Sequence, residues 1–146
     1  MDHFHEIKSI ELKQNPALSD RALILQPLLA FNEQVVGPYR HRDLAVLVSN
    51  ADGEVVGGLW GRTGWDHLFV ELFYLPEEFR GRGVGRRILE IAEAEAIRRG
   101  CGCSWLDTYD FQAPEFYEKL GYRQFGEMPD HPQGHRRIFF RKCLEA

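Results

Sequence analysis

Three cysteines in 146 residues, at positions 101, 103 and 143, are too few and too unevenly spaced for a disulfide framework. An odd count suits reduced thiols in a cytoplasm-like compartment. Cys101 and Cys103 read as small buried apolar residues near the start of a strand, and no partners stand at metal spacing, so no metal is expected. No apolar run approaches the ~20 residues needed to cross a bilayer. No basic start followed by an apolar stretch suggests a secretory signal, so a cytoplasmic location is expected. Excess basic charge is also missing. Eighteen Lys and Arg face 22 Asp and Glu, for a net charge of −4, which argues against a protein that grips nucleic acid by neutralising its phosphates. Repeats, low-complexity tracts and linkers are absent, so residues 1–146 read as one domain, long enough to bury a core.

The residues present alternate between strand and helix patterns. His3 to Leu12 alternates like a first strand and is broken at Asn15-Pro16. Ser19-Asp20 is a plausible cap for a helix from Arg21 to about Val36, with Pro27 expected to kink or divide it. Leu44–Ser49 and Val55–Trp60 are strand candidates around the turn Asn50-Ala51-Asp52-Gly53. Gly61 to Trp65 turns into a further strand, Leu68–Leu75. A helical pattern from Arg86 to Arg99 follows, with Val84, Ile88, Ile91, Ala92 and Ala96 on one face and Gly100 as its stop. Cys103–Thr108 reads as a strand and Pro114 to Gly121 as a short helix. Tyr122–Phe125 and Arg137–Cys143 read as final strands. This order predicts an α/β (α+β) fold, a mixed sheet covered by helices.

The most informative stretch joins the Leu68–Leu75 strand to the following helix: Arg80-Gly81-Arg82-Gly83-Val84-Gly85. Unpaired N–H groups at a helix start, the helix dipole and glycines without Cβ atoms together favour a phosphate group. The spacing excludes a P-loop, which needs four residues between its glycines and then Gly-Lys-Ser/Thr. It also departs from the dinucleotide pattern Gly-x-Gly-x-x-Gly.

What remains, Arg/Gln-x-x-Gly-x-Gly/Ala after a strand, resembles the pyrophosphate-binding motif of the GCN5-related N-acetyltransferase (GNAT) family. A second block, Phe116-Tyr117-Glu118-Lys119-Leu120-Gly121-Tyr122, is similar to that family's Phe-Tyr-x-x-x-Gly-Phe/Tyr segment, at the expected distance along the chain. The likeness runs from about Leu44 to the C-terminus. It implies the acyl-CoA N-acyltransferase fold, with a mostly antiparallel sheet and one splayed strand pair, and acetyl-CoA as the acetyl donor. Backbone groups of Phe73, Tyr74 and Leu75 would then hold the pantetheine arm. The N–H groups of Arg80, Gly81, Arg82, Gly83, Val84, Gly85 and Arg86 would hold the pyrophosphate. Similar domains often dimerise through late strands, so the resemblance allows a homodimer.

Acetyl transfer needs a neutral amine, a polarised thioester carbonyl and a proton for the departing thiolate. Tyr117 matches the family's tyrosine and is the candidate proton donor. Phe116 and Leu120 are expected to pack inward and leave it facing the cofactor sulfur; a packed core tyrosine is the alternative. Glu71, the only charge in an apolar run, is the candidate base, because a buried acid is costly without a partner or a task. The alternative is a glutamate at a bulge or edge facing solvent. Asp66 and His67 are weaker candidates. Trp60, Trp65, Tyr109 and His135, with Asp110, Gln112 and His131, are candidates for the acceptor pocket. His131 and His135, four apart across Pro132 and Gly134, do not make a helical metal pair. The expected activity is direct acetyl transfer to a primary amine of a small molecule, with no acetyl-cysteine intermediate. The alternatives are acetylation of a protein lysine or N-terminal amine, or a non-catalytic acyl-CoA sensor.

Overall fold

The computed structural model describes residues 6–145. The chain forms two units, one ending at Tyr39 and one starting at Arg40. In the first, α1 (Leu18–Val36) begins after Ala17, whose N–H donates to the Asp20 carboxylate at 2.8 Å. Asp20 therefore satisfies the helix start from inside the first turn, rather than capping it from outside as the sequence suggested. The helix runs unbroken through Pro27 and closes at Gly37, whose N–H reaches the Glu33 carbonyl. Losing one internal hydrogen bond at Pro27 does not end a helix that has many others on either side. The strand expected over His3–Leu12 does not form over its described part: residues 6–12 are irregular, and residues 3–5 lie outside the described range. Alternation gives a segment two faces, but a ladder of hydrogen bonds makes it a strand.

The second unit is built on six strands: β1 (Arg42–Ser49), β2 (Val55–Gly64), β3 (His67–Tyr74), β4 (Cys103–Tyr109), β5 (Arg123–Pro129) and β6 (Arg136–Cys143). Their order across the sheet is β1-β2-β3-β4-β6-β5. All neighbours are antiparallel except β3 and β4. That parallel pair needs a crossover, supplied by the turn at Glu77–Phe79, the glycine segment and α2 (Val84–Arg98). The β1–β2 hairpin turns as expected: Asn50 Oδ1 accepts the N–H groups of Asp52 and Glu54, both at 3.0 Å. β2 continues to Gly64, past the predicted turn, and the chain reverses at Trp65-Asp66 instead.

Within the second unit, the core lies between one sheet face and the helix α2. Ile88, Leu89, Ala92 and Ala96 of α2 join Leu44, Leu59, Leu68, Val70, Leu106, Ile138 and Phe140. Burying a leucine or isoleucine of this kind contributes roughly 1.5–3 kcal/mol. The buried face of α2 is rotated from the predicted one. Ile91 is 39% exposed, whereas Leu89 and Glu93 are buried. The rotation is possible because Glu93 has partners: the Tyr122 hydroxyl donates to it at 3.1 Å and Lys142 Nζ at 2.7 Å. The short helix α3 (Pro114–Lys119) follows β4, with proline in its first turn.

Candidate active site

Two irregularities open the sheet at one end. Parallel pairing of β3 with β4 runs from His67↔Cys103 to Val70↔Leu106 and stops there. At the same point the β2–β3 register jumps, from Gly61↔Val70 to Trp60↔Leu72, so Glu71 is an extra residue with no partner on β2. A one-residue bulge bends its strand and sharpens its twist. Beyond it, Phe73 and Tyr74 still pair with Leu59 and Gly58 of β2, but β4 no longer pairs with their other side. This is the splayed strand pair, with β3 backbone groups facing the gap. Leu75 lies just past the strand, and its carbonyl already accepts Arg80 Nε at 2.8 Å.

Glu71 is therefore at a bulge, and the burial expected for it is not observed. Its side chain is 44% exposed, and Arg62 Nη1 lies 3.3 Å from its Oε2. The bulge turns it out of the apolar run, onto the face where the Arg62 guanidinium lies over the Phe69 ring.

The glycine segment precedes α2 on the same side of the crossover. Gly81 and Gly83 have φ of 72° and 79°, and a Cβ on either would meet no atom within 4 Å. These positions favour glycine for its left-handed backbone, which leaves the helix start open. Gly83 is the residue before α2, no side chain caps it, and no acidic residue sits in the first turn. The first helical hydrogen bond is from the Arg87 N–H to the Gly83 carbonyl, which leaves the N–H groups of Val84, Gly85 and Arg86 without helical partners. Gly85 has another role: a Cβ there would lie 3.1 Å from Phe116 Cζ, so its smallness serves packing against α3. The arginine side chains are engaged locally. Arg80 holds Leu75, Arg82 Nη1 donates to the Glu78 carbonyl at 3.3 Å, and Arg86 Nε to Glu90 at 3.1 Å.

Tyr117 is 8% exposed and belongs to the core cluster, whereas Phe116 and Leu120 are only partly buried, the reverse of the expected packing. Its ring sits among those of Phe116, Tyr122, Phe140 and Phe73, at centroid distances of 5.1, 6.0, 6.1 and 6.3 Å. Among the described residues its hydroxyl has no hydrogen-bond partner. Among the described residues no buried side-chain polar atom lacks one, so this hydroxyl opens to solvent. Burial, and then the negative charge of Asp107, push it up to about 12. Tyr122 differs in this respect: its hydroxyl donates to Glu93 and accepts from the Ser104 hydroxyl at 2.9 Å, and burial and the Glu93 charge push it up as well.

Asp107, which the sequence reading passed over, is the first β4 residue beyond the last β3–β4 pair. Arg137 Nε donates to its Oδ1 at 2.8 Å. It could have been found by the criterion used for Glu71, since it is the only charge in Cys103–Tyr109. Tyr109 stacks on Phe111 at 5.2 Å, and the Arg137 guanidinium lies 5.8 Å from the Tyr109 ring centre. His135 Nδ1 donates to Asp110 Oδ1 at 2.9 Å and meets the Phe111 ring edge-on. His131 packs obliquely on Tyr109, and Gln112 accepts from Thr108 and from the Tyr109 N–H. Tyr109, Asp110, His131 and His135 are thus brought together at the C-terminal end of β4. Trp60 pairs with Leu72 near the bulge and is 43% exposed. Trp65 is at the opposite end of β3, roughly 20 Å from Glu71 by strand rise. There it lines a cleft of about 420 Å³ with Arg40, Arg42, Arg98 and Arg99. His67 donates to Asp66 at 2.7 Å beside that end and holds the Asp66 carboxyl below its usual range. Burial pushes the Cys101 thiol up, which disfavours a nucleophilic thiolate.

Known proteins resemble this chain in sequence and fold. The sequence model of the acetyltransferase (GNAT) family matches residues 5–122. The blasticidin-S acetyltransferase of Streptomyces morookaense is 36% identical over 129 residues, 88% of each chain. A crystal structure from Agrobacterium tumefaciens, described as a candidate acetyltransferase, superposes with a TM-score of 0.86 at 32% identity, covering 93% of this chain and 99% of that one. A Bacillus anthracis chain described as a candidate streptothricin acetyltransferase, solved with acetyl coenzyme A, gives a TM-score of 0.62 over 79% of this chain and 68% of that one. At 19% identity this last likeness speaks for the fold alone.

Proposed function

The chain belongs to the GNAT family of N-acetyltransferases, and from that premise we propose that it moves the acetyl group of acetyl-CoA directly to a primary amine of a small molecule. The observation that carries this reading is the coincidence, around one end of the sheet, of the β3–β4 opening, an uncapped helix start and the unpartnered Tyr117 hydroxyl. A Bacillus anthracis neighbour with this fold holds acetyl-CoA, and the blasticidin-S acetyltransferase is named for a small molecule. Both support the donor and the acceptor class. The family match crosses both units of the chain, which supports reading residues 1–146 as one N-acetyltransferase domain.

In the proposed reaction the diphosphate rests on the N–H groups from Gly81 to Arg86, the expected Arg80 N–H being taken instead by the Glu77 carbonyl at 3.1 Å, with the pantetheine arm along Phe73, Tyr74 and Leu75. A neutral amine attacks the thioester carbonyl while a β3 backbone N–H holds the developing oxyanion. Glu71, directly or through water, takes the proton that the amine loses. The carbon–sulfur bond breaks, and Tyr117 gives its proton to the leaving thiolate. The products are the N-acetylated amine and free coenzyme A. A thiol-release assay with acetyl-CoA and a broad amine and peptide panel tests this. Release with small amines supports it, and release with peptides alone redirects it to protein acetylation. Tight cofactor binding without release for any amine favours a sensor.

A further inference from the structure

We propose that Asp107 is the acceptor anchor of this enzyme, a carboxylate that holds the incoming amine beside the thioester and selects cationic amines attached to a planar ring. The inference rests on the acetyltransferase reading. Along β4, Ser104, Leu106 and Thr108 are buried, Leu106 within the core cluster, so Trp105, Asp107 and Tyr109 share the opposite face. That face continues across the neighbouring strands through direct contacts. Trp105 stacks on Phe69 at 4.1 Å, Arg62 covers Phe69, and Arg62 pairs with Glu71. On the other side, Arg137 bridges Asp107, Tyr109 and Phe139. Asp107 therefore stands where the strands part, between two aromatic rings of its own strand and across the opening from Glu71.

The carboxylate has capacity to spare. Its side chain is 15% exposed, and Arg137 Nε uses Oδ1. Oδ2 takes no hydrogen bond from any described residue, and since no buried side-chain polar atom of the described residues is unsatisfied, it opens to solvent. An anionic acceptor flanked by ring faces is suited to an ammonium group and the planar body behind it. Because Arg137 already shares the carboxylate, Asp107 holds the amine, and removing the proton is left to Glu71. The charge of Asp107 is also felt at the Tyr117 hydroxyl, which ties the anchor to the site of proton delivery.

The test compares two ring-bearing primary amines at neutral pH: phenethylamine, which is then cationic, and O-benzylhydroxylamine, which is then neutral. For Asp107→Asn the KM for phenethylamine should rise about tenfold or more, as for other desolvated charge partners. The KM values for acetyl-CoA and for O-benzylhydroxylamine should stay within about twofold. If Asp107→Asn folds poorly, Asp107→Asn with Arg137→Gln removes the stranded cation too and should show the same split. Equal losses for both amines, or none for either, would overturn the anchor, as would a wild type that acetylates other amines but no arylalkylamine. Absence of thiol release with every amine is a different failure, that of the acetyltransferase reading itself.

Discussion

Replacing Tyr117 by phenylalanine separates chemistry from folding, because the structure assigns the hydroxyl and the ring to different tasks. The ring is held among four aromatic neighbours, and phenylalanine keeps those contacts. The hydroxyl has no protein partner among the described residues, so its removal leaves no donor or acceptor stranded. Deleting such a group is neutral or stabilising by up to about 1 kcal/mol. For a chain of this size that is a Tm change of at most ~4 °C, upward or nil. A general acid contributes about 10²–10⁴ in rate, or ~3–5 kcal/mol of barrier. Tyr117→Phe should therefore lower kcat at least ~100-fold with the melting temperature held or raised and acetyl-CoA affinity unchanged. Thermal melts, cofactor titration and steady-state thiol release measure the three quantities. Alkaline titration supplies a further check. The phenol is pushed up to about 12 in the folded chain, above its unfolded value of about 10. Its contribution to stability is thus complete below pH ~10 and is lost as pH rises from there through about 12. Tyr117→Phe should make alkaline unfolding less steep in that window. Undiminished turnover would refute the acid role, and a large fall in Tm would refute the claim that the hydroxyl is structurally idle.

The adjacent tyrosine should behave in the opposite way. Tyr122→Phe breaks the bonds to Glu93 and Ser104 and should cost about 1–3 kcal/mol in chemical denaturation, with kcat changed less than in Tyr117→Phe. Gly83→Ala forces a side chain into the left-handed region at a cost of ~1–2 kcal/mol and places a methyl group on the open side of the helix start. Calorimetry should show acetyl-CoA affinity falling about tenfold or more. Gly85→Ala should instead act through stability, since its methyl meets the Phe116 ring. Glu71→Gln should lower kcat about 100-fold or more with acetyl-CoA affinity kept, and equal turnover in variant and wild type would remove the base role.

What the sequence disclosed was local in its physics. Gly81 and Gly83 could be read as an open turn because the lack of a Cβ is a property of one residue, and the element order because periodicity survives without partners. Tyr117 was legible through a motif, but its environment was not, because whether a short helix turns residue 116 or 117 inward depends on what lies beneath it. Glu93 looks like surface helix until Tyr122 and Lys142, 29 and 49 residues away along the chain, supply its partners. The exposure of Glu71 and the position of Asp107 both depend on strand register, which no window of sequence contains. The alternation in His3–Leu12 misled for the complementary reason, since a strand pattern carries no guarantee of a neighbour.

The register shift at Glu71 links fold and chemistry. Inward-facing β3 residues run Leu68, Val70 and then Phe73, the last packing on Phe116 and Tyr117. Leu72 and Tyr74 are 62% and 59% exposed. An unbulged strand would put Leu72 and Tyr74 inward and Phe73 outward, because the side-chain period is two. The extra residue therefore does two things together: it frees the β3 edge from β4, and it delivers Phe73 to the wall that holds Tyr117. Deleting residue 71, unlike Glu71→Gln, should undo the first and spare the second, because Phe73 then follows Val70 by two positions and stays inward. The shortened strand should lose acetyl-CoA affinity and turnover together with Phe73 still buried, whereas loss of the carboxylate alone should spare affinity. If the deletion variant binds acetyl-CoA as tightly as Glu71→Gln does, the bulge is not what opens the sheet.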